Sequence, residues 1–155
     1  MWFHFNGGID VHFRICKYEP ATEDDWFGQW CECDYSFQAG NWLHYHGEKD
    51  EVLLSCEVEI LEKALTALLR DQITEVEQLS FAEPDFRFVF HPKRDRRKEG
   101  VICRPGTEIA DIYLEWKIYF WDDGLTDNHL TIVLDREEIR AFRNYLSEII
   151  RRELK

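Results

Sequence analysis

The sequence predicts an α+β domain built on an antiparallel sheet of about six to seven strands with two helices. Two kinds of periodicity and their order carry that prediction. Several stretches alternate apolar and polar residues with period two and are separated by tight-turn signals, the mark of antiparallel strands. Two other stretches repeat apolar residues at helical spacing, one after Ser55 and one after Asp135. The order is strands, helix, strands, helix, and that grouping favours an antiparallel sheet with helices on one side.

Taken in order, Trp2 to Asn6 forms a first short strand and Gly7-Gly8 a turn. From Ile9 to Tyr18 the apolar set Ile9, Val11, Phe13 and Ile15 alternates with Asp10, His12, Arg14 and Cys16. An acidic loop, Glu19 to Asp25, follows and leads through Trp26-Phe27-Gly28 to the central stretch. There Cys31, Cys33, Tyr35 and Phe37 alternate with Glu32, Asp34, Ser36 and Gln38. A turn at Ala39-Gly40 reverses the chain into a strand, Asn41 to Gly47, in which Phe37 would face Trp42, Tyr35 His44 and Cys33 His46. Gly47 to Asp50 reads as a turn and Glu51 to Leu54 as a short strand. Ser55 is placed to cap a helix with Glu57 and Glu59 in its first turn. The buried stripe of that helix is Val58, Leu61, Leu65, Leu68 and Leu69.

Strands return at Leu79 to Ala82 and, past Pro84, at Phe86, Phe88 and Phe90. Pro92 to Gly106 is expected to be a loop, and Ile109 to Trp121 one long strand. Asp122-Asp123-Gly124 turns the chain into a strand, His129 to Leu134. Asp135 and Glu138 then form a capping box for a helix with the stripe Ile139, Phe142, Leu146, Ile149 and Ile150.

The totals bound the function. A chain of 155 residues with 45% hydrophobic and 15% aromatic residues can bury a substantial core, so a single domain over residues 1–155 is expected. The net charge of -12 argues against gripping nucleic acid through a basic face. It suits solubility, or attraction to a basic protein partner. No apolar run is long enough to span a membrane, and the start lacks the basic and apolar regions of a signal peptide. Five cysteines, an odd number in a chain this size, fit reduced thiols and a cytoplasmic setting.

Three clusters are chemically suggestive. Cys31 and Cys33 with His44 and His46 have the donor types of a zinc site, giving a metal-binding or small-ligand domain as the alternative function. The commoner fate of such residues is buried thiols and surface histidines. Lys93 to Lys98 is a basic run that includes Asp95 and precedes Glu99, which suits a solvated loop or internal pairing. The third cluster is acidic: Glu23, Asp24 and Asp25 in the loop, with Glu32 and Asp34 on the next strand. Trp26 and Trp30 beside it would serve as aromatic anchors for a protein partner. No Ser-His-Asp set, Walker loop or Rossmann glycines occur, so no catalytic residue or cofactor is expected.

Asn41-Trp42-Leu43-His44-Tyr45-His46-Gly47-Glu48, followed by Leu53-Leu54-Ser55 and a leucine-rich helix, resembles the WapI-type immunity proteins of bacteria. The strand Phe86 to Phe90, a long strand and the closing strand–helix from Leu130 to Leu146 follow in the matching order. The resemblance implies a cytoplasmic protein that binds and blocks a toxin, typically a nuclease domain, by occlusion and with no chemistry of its own.

Overall fold

Four strands at the beginning of the chain pair in simple sequence order. The computed structural model describes residues 1–22, 24–25 and 28–153. Strands β1 (Trp2–Phe5), β2 (Ile9–Lys17), β3 (Trp30–Ala39) and β4 (Leu43–Leu54) form an antiparallel sheet in the order β1-β2-β3-β4. Helix α1 (Ser55–Leu69) follows directly. Next come β5 (Glu77–Ser80), β6 (Phe86–His91), β7 (Arg94–Asp95), β8 (Ile109–Ala110), β9 (Tyr113–Trp121), β10 (Leu125–Leu134) and α2 (Arg136–Glu153). A second four-stranded sheet has the order β10-β9-β6-β5, and β7 pairs with β8. The α+β, antiparallel class expected from the periodicities holds, with the strands divided between two main sheets.

The division follows from where the aromatic residues point. Phe13 and Phe37 of the first sheet meet Trp116 of the second edge-on, with ring centroids 5.6 and 6.0 Å apart. Tyr35 meets Phe86 at 5.6 Å in the same way. Edge-to-face contacts of this kind add to the gain from area burial. Helix α2 packs against both sheets: Phe142 stacks on Trp116 at 5.4 Å and touches Phe13 and Phe3. Most of the predicted stripes are buried, with Val58, Leu61, Leu65 and Leu68 on α1 and Ile139, Phe142 and Leu146 on α2 fully enclosed, while Leu69, Ile149 and Ile150 are partly buried at the margin.

The central hairpin differs from the expected register. Ala39 pairs with Leu43, so Gly40, Asn41 and Trp42 form a three-residue loop. Phe37 therefore lies opposite Tyr45, Tyr35 opposite Gly47 and Cys33 opposite Asp50. The pairing is displaced by three residues from the expected one, and an odd displacement moves side chains to the other face. Trp42 consequently stands 74% exposed at the hairpin tip. The stretch expected to turn at Gly47 to Asp50 instead continues as β4, which absorbs two bulges. At one of them Lys49 takes φ 54° and donates its N–H to Asp34 Oδ1 at 2.9 Å.

Ser55 does not cap α1. The N-cap is Leu54, and Ser55 is the first helical residue, its N–H donated to the Gln29 carbonyl at 3.0 Å. The capping is done by Glu57, which is buried. One carboxylate oxygen accepts the Leu54 N–H at 2.8 Å and the other the Ala82 N–H at 2.7 Å. A buried carboxylate bonded twice at a helix N-terminus is well compensated. Gly28 closes this junction: at φ +71°, a Cβ there would run into the Ser55 side chain.

The segment expected to be an open loop from Pro92 is partly ordered by its own charges. Asp95 accepts from the Arg97 backbone at 3.1 Å and from its guanidinium at 2.9 Å, starting a 3-10 turn over Arg96–Glu99. Lys93 pairs with Asp71, and Arg94 with Glu99. The basic run is thus largely spent on neighbouring carboxylates. The long strand expected from Ile109 is broken after Ala110, and the strand expected from His129 begins earlier, at Leu125. No helix among the described residues is long and apolar enough to cross a membrane.

Candidate functional site

The acidic residues singled out in the sequence are placed by the start of β3 and the loop before it. Asp24 is exposed, and Asp25 is partly covered. Asp25 organises the loop: its carbonyl accepts from Thr22 and Gly28, and its carboxylate accepts from Gln29 at 3.2 Å. Glu23 and Trp26 lie outside the described residues. Trp30 is half-buried at the first position of β3, opposite Leu54. Glu32 stands in the ladder between Lys17 on one side and Glu51 on the other. Asp34 has an internal partner in Arg14, and with the Lys49 N–H this holds its carboxyl down at a pKa of about 2. Its charge is mostly offset within the sheet.

The Cys/His hairpin does not assemble. Cys31 and Cys33 point into the core and are fully buried. His44 and His46 are exposed on the opposite face of the same hairpin. Burial pushes the Cys31 thiol up to about 12 and the Cys33 thiol well above its usual value, the reverse of a metal-binding thiolate. The two histidines lie instead beside His12 in a shallow depression on the outer face, with Ser36 between His12 and His46 in the ladder. No group of three or more ligand-type side chains suited to a metal ion occurs among the described residues.

A second feature joins residues that are far apart in the sequence. Where β4 passes the loop before β6 and the end of β9, a cleft of about 320 Å³ opens. Three aromatic residues, Tyr35, Tyr45 and Trp121, and four carboxylates, Asp50, Glu51, Glu83 and Asp85, line it together with Val52. Tyr35 donates to Asp50 Oδ2 at 2.9 Å. Gly47 makes room for that bond, since a Cβ there would fall 2.7 Å from the Tyr35 hydroxyl. Trp121 donates its indole N–H to Asp85 Oδ1 at 2.8 Å, and the Asp85 carbonyl accepts from the Tyr119 N–H.

Asp85 is only 7% exposed. Apart from Trp121 its carboxylate has no side-chain hydrogen-bond partner among the described residues, and burial pushes its pKa up. None of the four cleft carboxylates forms an ion pair among the described residues. Asp85, the one buried member, sits where a carboxylate without a cation is costly, and the edge gathers four acidic groups that no cation among the described residues offsets.

Backbone pairings link the cleft to the acidic loop. Glu51 of the cleft is the ladder partner of Glu32. Glu83 follows Ala82, which is bonded to Glu57 at the start of α1, and Ser55 is bonded to Gln29 next to the loop. Sequence reasoning singled out Asp25 and Glu32 and did not single out Glu83 and Asp85. The only local signal for the latter two was a pair of carboxylates flanking Pro84 at a strand entrance.

Searches of curated proteins and of solved structures gave no match. A family model described as the Immunity protein WapI-like family matches residues 2–153, and the chain therefore belongs to that family of immunity proteins.

Proposed function

We propose that this protein neutralises its toxin by capping a positively charged face of it, as a nuclease domain would present, through the acidic edge that runs from the loop before β3 to the cleft. The interface takes in Glu23, Asp24, Asp25, Trp26, Trp30, Glu32 and Asp34 with the cleft residues, and the protein acts in the cytoplasm by occlusion. The observation that carries this reading is the uncompensated charge. Four carboxylates converge on one cleft with no internal cation among the described residues, although the basic loop shows that this chain pairs its charges elsewhere. Opposite charge on a partner speeds encounter and selects against wrong partners.

The test is coexpression with the toxin domain encoded beside this gene. Protection of the cells and co-purification of the two chains are expected. Cells that die despite abundant soluble protein, or a toxin that fails to co-purify, would refute the reading.

A further inference from the structure

We infer that the cleft between β4 and the end of β9 is a socket for a single arginine side chain of the toxin. This rests on the function proposed above and names the contact that anchors it. The cleft volume of about 320 Å³ lies at the small end of ligand pockets, which suits one long side chain. Its walls are the aromatic residues Tyr35, Tyr45 and Trp121, and aromatic faces attract cations. Its polar groups are mostly acceptors: the Tyr35 hydroxyl is spent on Asp50 and the Trp121 indole on Asp85, which leaves the Tyr45 hydroxyl as the uncommitted side-chain donor among the described residues of the lining.

An anion would therefore meet four carboxylates against a single free hydroxyl, whereas a cation would meet Asp85, Glu83, Asp50 and Glu51 at once. A planar guanidinium has the further advantage that it stacks on an aromatic ring and forks onto carboxylate oxygens, which a lysine ammonium does not do. The bonds to Tyr35 and Trp121 hold two of the carboxylates in place before the partner arrives, so little ordering is needed on binding.

The experiment measures binding of a catalytically dead form of the toxin domain encoded beside this gene. Wild type is compared with Glu83→Gln/Asp85→Asn, with Glu83→Gln alone, and with Asp24→Asn outside the cleft. Glu83 makes no hydrogen bond among the described residues, so its single variant keeps the fold even if the double variant does not. The double variant is expected to dissociate about 30-fold faster or more, the single variant about fivefold faster, and Asp24→Asn to change chiefly the association rate. If wild type forms no complex, both the socket and the immunity reading fall. If wild type binds and Glu83→Gln dissociates no faster, the socket falls while the immunity reading stands. A cleft effect confined to the association rate would likewise overturn the socket, because it would reduce these residues to long-range attraction.

Discussion

Arg136, in the first turn of α2, donates from Nη1 to the carbonyl oxygen of Leu69, the last residue of α1, at 3.0 Å. The same guanidinium reaches Asp71 Oδ1 at 2.7 Å and Asp111 Oδ1 at 2.8 Å. It thereby fastens the end of one helix to the start of the other and satisfies a carbonyl that a helix end leaves open.

Arg136→Met should therefore cost about 1.5–3 kcal/mol in urea unfolding, the scale of hydrogen bonds to charged groups. It should also alter acid stability. Bonding to Arg136 holds Asp111 down at about 2 and lowers Asp71. A carboxylate depressed in the folded state contributes stability above its ordinary pKa of about 3.9 and loses it as pH falls toward the folded value. Wild type should thus lose stability between roughly pH 4 and 2. Arg136→Met should lose less over that interval, as read by unfolding at each pH.

Trp116 is the centre of the aromatic core, fully buried against Phe13, Phe37, Phe86, Phe88 and Phe142, yet its indole N–H has no partner among the described residues. Trp116→Ala should cost about 3–5 kcal/mol by leaving a cavity. Trp116→Phe removes the unpaired N–H along with part of the ring. Its cost should stay under about 2 kcal/mol, and a cost equal to that of alanine would contradict this account of the core.

The hairpin cysteines should behave as core residues. In native protein a thiol reagent is expected to reach exposed Cys16 while Cys31 and Cys33 react only after unfolding. A chelator should leave the melting temperature unchanged, as should His44→Ala/His46→Ala. A chelator-induced fall of several degrees would revive a metal on this hairpin.

The cleft should show a trade between stability and binding. Folding raises the pKa of Asp85, so the folded state binds the extra proton and ionisation of this group erodes stability as pH rises above its ordinary value. Asp85→Asn keeps an acceptor for Trp121 and removes the buried charge. It should raise the free energy of unfolding at pH 7 while weakening the complex. Destabilisation on substitution would mean that Asp85 already has a cation.

What the sequence made legible was whatever is decided within a few residues. The capping box of α2 is an example: Asp135 Oδ1 accepts the N–H groups of Glu137 and Glu138 at 2.9 Å each, and Glu138 returns a bond to the Asp135 N–H at 2.8 Å. The apolar stripes of both helices and the alternation of β2 and β3 were legible for the same reason. The register of β4 was not, because the number of residues in the hairpin loop leaves no mark on local composition, yet the three-residue loop over Gly40 to Trp42 decides which face His44 and His46 occupy. The cleft was hidden for a different reason. Tyr35, Asp50, Asp85 and Trp121 meet only after two sheets have packed, and no spacing rule connects them.

The charge-driven association at the heart of this reading is tested by the rate at which the protein binds its toxin domain as ionic strength is varied. The association rate should fall about tenfold or more between low salt and a few tenths molar, while the dissociation rate changes little. A rate indifferent to salt would contradict docking through the acidic edge.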